Sequence, residues 1–220
     1  MSYGLKVIGA SGQVQISDLA SSFSVVKQGV VGSPVTHASL SQLANASAQE
    51  SLFIKPAAGY GVIGWRDYYD LQYIECSTGS ISYCVIKPNK LITPSSAGYG
   101  IRSFGPSGEL LFDSGAIGPK PLAASYITYQ GGNVNTWYTS SSVNLPNPLH
   151  GRNRFVDFSC LVMVHRFVGQ QNGGASIYTY INFNSQSSLT FGTAYKKSQE
   201  SMPGSTSSRT APIYFFIMEI

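Results

Sequence analysis

The chain has 220 residues and a formal charge of +4, from 14 basic and 10 acidic side chains, and only 11% of it is charged, against about 25% in an ordinary soluble domain. That length holds one large all-β domain or two small ones. The charges are scattered, with Lys196-Lys197 the one adjacent basic pair, which excludes the concentrated basic stripe of a nucleic-acid protein.

Polarity comes instead from Ser, Thr, Asn, Gln, Gly and Tyr, a composition suited to surfaces that face other proteins or sugars. The 14 Tyr and 11 Phe favour strands. In chain order, Tyr3–Ile8 and Gln13–Ser17 form a predicted hairpin around a turn ending in Gly. Ser22–Lys27 and Val30–Thr36 follow, joined by Gln28-Gly29. Ser39–Gln49 carries a weak helical pattern, with Leu40, Leu43 and Ala44 on one face. Strands are expected at Leu52–Lys55, Tyr60–Trp65, Leu71–Cys76 and Ile81–Lys87, the last two paired through a turn at Ser77–Ser80. Asn89–Gly98 reads as a connection. After a second hairpin and a Gly/Pro loop at Gly115–Pro121, strands are predicted at Ser125–Gln130 and Val134–Thr139 around Gly131-Gly132. Asn144–Asn153 is a loop with two prolines, and Arg154–Val168 reads as the longest extended stretch. Ala175–Phe183, Ser188–Tyr195 and Ala211–Glu219 complete the series.

The two hairpins share a sequence. Tyr3–Asp18 (YGLKVIGASGQVQISD) and Tyr99–Ser114 (YGIRSFGPSGELLFDS) align without a gap, with Tyr, Gly, Gly, Ser and Gly in common. A looser echo, Ile-Lys-Pro before Ala-Gly-Tyr-Gly, starts at Ile54 and again at Ile86. An antiparallel β-sandwich follows from this pattern, with two β-rich subdomains, 1–95 and 96–220, related by the internal repeat.

Chemistry is sparse. Cys76, Cys84 and Cys160 include no CxxC; Cys76 and Cys84 flank one turn, where a disulfide and two separate small buried thiols are both open readings. His37, His150 and His165 have no zinc-ligand spacing, so neither metal nor cofactor is expected. No Gly-x-Ser-x-Gly elbow is present. The apolar runs Cys160–Val164 and Ile213–Met218 are too short to span a bilayer. The first residues lack a basic leader region, so the chain is expected to be made in the cytosol of its producer.

Three regions are candidates for recognition. Trp65, Asp67, Tyr69 and Asp70 form the densest patch, readable as a glycosidase carboxylate pair, as a sugar-binding loop, or as a loop of solvated charges, the last being favoured. Arg152 and Arg154, beside His150, could meet a phosphate or carboxylate through guanidinium forks, against a plainer role in intersubunit hydrogen bonds. Tyr126, Tyr129, Trp137 and Tyr138 flank the Gly131-Gly132 turn, where rigid aromatics suit recognition and core packing alike.

Met1–Ser17 (MSYGLKVIGASGQVQIS) resembles the start of a family of small tail proteins of tailed bacteriophages, which open with Tyr-Gly, a strand, a Gly-containing turn and a strand ending in Asp or Ser. Tyr99–Gly115 resembles that pattern more closely still, and Leu52–Pro56 resembles the family's apolar-apolar-basic-Pro step. The resemblance covers about the first 120 residues, and its motifs are structural. It implies a non-enzymatic virion structural protein of the tail tip, baseplate or tail fibre, assembled in the host cytoplasm. It further implies a homo-oligomer, a trimer being favoured, with other tail proteins and a host surface glycan or protein as partners. A capsid decoration or head-fibre protein and a β-scaffold polysaccharide depolymerase are the alternatives.

Overall fold

Short alternating runs punctuated by Gly, Pro and Ser turn this chain into strands almost throughout. A computed structural model describes residues 7–8, 14–16, 22–68, 71–94, 100–129, 140–146, 152–161, 163–167, 174–197 and 211–220. Its first strands are β1 (Val7–Ile8), β2 (Val14–Ile16), β3 (Phe23–Gly32), β4 (Val35–Thr36), β5 (Ser51–Pro56) and β6 (Gly61–Tyr68). They are followed by β7 (Leu71–Cys76), β8 (Ser80–Pro88), β9 (Arg102–Phe104), β10 (Leu110–Asp113), β11 (Lys120–Tyr129) and β12 (Ser140–Asn144). The last are β13 (Arg154–Asp157), β14 (Met163–Phe167), β15 (Gly174–Ser185), β16 (Ser188–Lys197) and β17 (Ala211–Glu219). The fold is all-β, as expected, and the pairing is antiparallel.

Two sheets make the body. The first has six strands in the order β11-β17-β13-β5-β8-β3, and the second runs β12-β16-β15-β6-β7-β4. In the second, β14 shares the β15 edge with β6: β14 takes Gly174–Tyr178 and β6 takes Tyr180–Phe183. Period-two alternation turns Leu52, Ile54, Ile81, Val85, Val156, Phe215 and Ile217 of the first sheet toward Ile63, Trp65, Ile74, Ile181, Phe183, Leu189 and Phe191 of the second. Phe191 and Phe215 meet across the layers with ring centroids 4.1 Å apart, and neither is exposed. A smaller apolar cluster of Phe53, Cys84, Ile86, Phe155 and Met218 lies on the other face of the first sheet.

The expected division into 1–95 and 96–220 does not mark two cores. Both sheets draw strands from both stretches. The first is joined at β13–β5 (Val156↔Ile54), the second at β15–β6 (Ile181↔Ile63). The two stretches therefore share one core.

The repeated hairpins stand outside both sheets. Val7↔Ile16 and Ile8↔Val14 pair in β1–β2, and Ser103↔Phe112 and Phe104↔Leu110 pair in β9–β10. These registers coincide at the spacing of the sequence repeat, and each is irregular at the equivalent step. Tyr3 and Tyr99 lie outside the described residues. Asn89 ties β9–β10 to the first sheet: its Nδ2 donates to Leu111 O (3.3 Å) and Ser22 Oγ (2.8 Å), while its Oδ1 accepts from Ser24 Oγ (2.6 Å).

Several local expectations change. Gln28-Gly29 is not a turn, because Gln28↔Cys84 and Gly29↔Tyr83 pair inside one continuous β3. A Cβ on Gly29 would come within 2.9 Å of the Tyr83 hydroxyl, so glycine serves close packing there. The weak helical stretch yields a single helix turn, α1 (His37–Ser41), and a 3-10 turn at Ala46–Ala48. Thr36 and Ser39 form a capping box that holds α1. The stretch from Arg154 is broken by a 3-10 turn at Phe158–Cys160, capped by Asp157, whose carboxylate accepts from Ser159 N at 2.9 Å. The chain crosses there from one sheet to the other. The Ser77–Ser80 turn likewise joins strands of different sheets, so Cys76 and Cys84 are not opposed; both are free thiols. The strand expected at Val134–Thr139 lies outside the described residues.

Candidate functional site: a cationic pocket at one end of the sandwich

Where β13 begins, the chain reads Arg152-Asn153-Arg154. Asn153 N donates to Ile220 O (2.8 Å) and Ile220 N donates to Asn153 O (2.9 Å), which fixes the backbone between the two arginines. Strand alternation places Arg154 on the same side as the buried Val156, so it enters the protein at the rim of the core. Arg154 is only 6% exposed. Its Nη2 donates to Pro146 O, while Nε and Nη1 are buried with no hydrogen-bond partner. A buried donor left unpaired costs about 1–3 kcal/mol. Burial lowers the Arg154 pKa and the charge of Glu219, its neighbour across β17, partly restores it. The guanidinium nevertheless stays charged at any physiological pH.

Lys55 reaches the same place from β5. Its Nζ donates to Asn153 Oδ1 at 2.6 Å and sits 5.6 Å from the centre of the Phe155 ring. Burial lowers its pKa too. The second sheet contributes Phe183 and the adjoining turn residues Ser185 and Gln186, and the β5–β6 turn contributes Gly59 and Tyr60. Gly59 holds φ +93, a conformation that glycine adopts without steric cost and that brings the turn round to present the exposed Tyr60. Together these residues line a cavity of about 250 Å³. Three cations and several neutral hydrogen-bonding groups thus line one small volume at the end of the sandwich.

Of the residues singled out from sequence, the structure brings Arg152 and Arg154 together here. Trp65 is in the core, edge-on to His37 with ring centroids 4.1 Å apart, so its faces are not a platform for sugar. Asp67 belongs to β6, paired with Gln72, not to a loop. Tyr129 ends β11 opposite Ala211. Tyr69, Asp70, Trp137 and Tyr138 lie outside the described residues. Lys55, Tyr60, Ser185 and Gln186 were not anticipated as site residues. Lys55 had a local sign, a cation directly after Leu-Phe-Ile, but nothing linear joins it to Asn153.

A second surface is apolar. On the outer face of β11–β17, Tyr126, Tyr214 and Phe216 are more than half exposed, with Tyr126 and Tyr214 directly opposed and their rings 6.0 Å apart. Among the described residues no group of three or more His, Cys, Asp or Glu could hold a metal ion, and no helix is long and apolar enough to cross a membrane. No family model, no curated protein and no solved structure matches the chain.

Proposed function

We propose that the chain is a structural and adhesive protein of a tailed-phage particle, part of its tail tip, baseplate or tail fibre, that works by binding and carries out no catalysis. The observation that carries this reading is the coincidence of register in the two hairpins whose sequence bears the tail-protein resemblance. The two-layer sandwich supports it as a stiff scaffold, and the low charge suits a subunit packed among others. The exposed Tyr126–Tyr214–Phe216 strip is the kind of surface that neighbours in an assembly cover. In this reading the partners are copies of the same chain, arranged as a trimer, other tail proteins, and a glycan or protein of the host surface. The protein resides in the virion tail after assembly in the host cytoplasm. Trp65 in the core and Asp67 within a paired strand lend nothing to a polysaccharide depolymerase.

Gold-labelled antibody against the purified chain tests the proposal on particles from a culture that produces it. Label on the tail supports the assignment, and label on the head moves the protein to capsid decoration. Particles without label or matching peptides in mass spectrometry remove it from the virion. The mass in solution checks the trimer.

A further inference from the structure

We propose that the pocket between Arg152, Arg154 and Lys55 is a binding site for one anionic group, a carboxylate or phosphate, carried on a body the size of a single sugar ring. Three cations line it, and Glu219, across β17 from Arg154, is coupled to that guanidinium. Among the described residues neither Lys55 nor Arg152 has a carboxylate partner; Lys55 is held by the neutral Asn153 Oδ1. Arg154 adds charge at the inner wall. The residue is only 6% exposed, and Nε and Nη1 are sealed from solvent as well as unpaired, so an occupant of the cavity meets its charge and not those two nitrogens, whereas Arg152 is exposed. An oxyanion supplies acceptors of the geometry that guanidinium groups match.

The remaining lining residues define the body that bears the charge. Asn153 uses its Oδ1 on Lys55, so its amide NH2 is left to donate. Ser185 and Gln186 add neutral donors and acceptors on the opposite wall, and Tyr60 offers an exposed ring beside them. A volume of about 250 Å³ is below the range of drug-sized pockets, which starts at roughly 300 Å³. One small polar residue fills it. The site stands on this geometry whether or not the chain belongs to a phage tail.

Calorimetric titration of the purified chain with glucuronate, glucose 6-phosphate, inorganic phosphate and glucose tests the inference. The acids are expected to bind at low salt and weaken as salt rises, with glucose at least about tenfold weaker than glucuronate. Sugar acids binding more tightly than inorganic phosphate identify a sugar-borne charge, and equal binding identifies a free oxyanion; either supports the site. Arg152→Gln, at an exposed position, is expected to weaken acid binding about tenfold or more, as is Arg154→Gln if circular dichroism shows it folded. Lys27→Gln, the same charge change outside the pocket, leaves affinity unaltered. The inference is overturned if no acid binds more tightly than about 1 mM, if glucose binds as well as glucuronate, or if Arg152→Gln has no larger effect than Lys27→Gln.

Discussion

Ile54 and Ile217 come from opposite ends of the chain yet are both essentially unexposed in one core cluster. Truncating either to alanine removes three carbons, about 2.4 kcal/mol of transfer free energy at about 0.8 kcal/mol each. The cavity left behind raises the loss toward about 4 kcal/mol. For a chain of this size each kcal/mol lowers Tm by about 2–4 °C, so Ile54→Ala and Ile217→Ala should each lower it by about 5–16 °C. The decisive quantity is the number of transitions. With Trp137→Phe as background, Trp65 emission reports the second sheet while far-UV circular dichroism reports the whole chain. A shared core predicts coincident curves that shift together in both variants. Two separated transitions, with Ile54→Ala moving one and Ile217→Ala the other, would refute the interlocked arrangement and restore independent halves.

Other outcomes follow from named contacts. Phe191→Ala and Phe215→Ala should each cost about 3–5 kcal/mol, and the double variant should show a coupling of about 0.5–1.5 kcal/mol in denaturant titrations; additive losses would mean that the rings do not meet. Burial pushes the Cys84 thiol from 9.0 up to about 12, and burial followed by the Asp157 charge raises Cys160. Both favour the folded state while protonated, so their contribution is complete below about pH 9. For Cys84 it is lost as pH climbs toward 12, at up to about 1.4 kcal/mol per pH unit, and the Cys160 contribution falls in the same direction. Stability measured above pH 9 should fall less steeply in Cys84→Ala, and a thiol reagent at neutral pH should find Cys84 and Cys160 only after unfolding. Asn89→Ala leaves the buried Ser24 Oγ without its acceptor, while Leu111 O keeps Ser22 N and Ser22 Oγ, and should cost about 1–3 kcal/mol, with amide exchange rising most in β9–β10. Tyr180 pairs with Gly64 on one side and Gly192 on the other, and its ring occupies the place of a Gly192 Cβ. Gly192→Ala should therefore cost about 1–3 kcal/mol in thermal melts.

The strand content was legible because period-two alternation and Gly-rich turns are local signals. Which sheet each strand joins was not. The turn at Ser77–Ser80 has hairpin composition, yet the apolar faces of β7 and β8 find partners in different layers. Gln28-Gly29 has turn composition, and the packing of Tyr83 against Gly29 overrides it. At the pocket, the two arginines could be picked out as an anion contact because their chemistry is their own. Lys55 and Gln186 join them only through pairing of distant strands, which leaves no trace in the residues beside them.

The position of β17 bears on how the chain is made. Residues 211–219 lie between β11 and β13, not at an edge, and supply Phe215 and Ile217 to the core. During synthesis the six-stranded layer therefore stays open until these residues leave the ribosome, and β5, β8 and β13 wait with apolar faces uncovered. A stop codon placed before Ala211 yields aggregate where a shorter soluble product was intended.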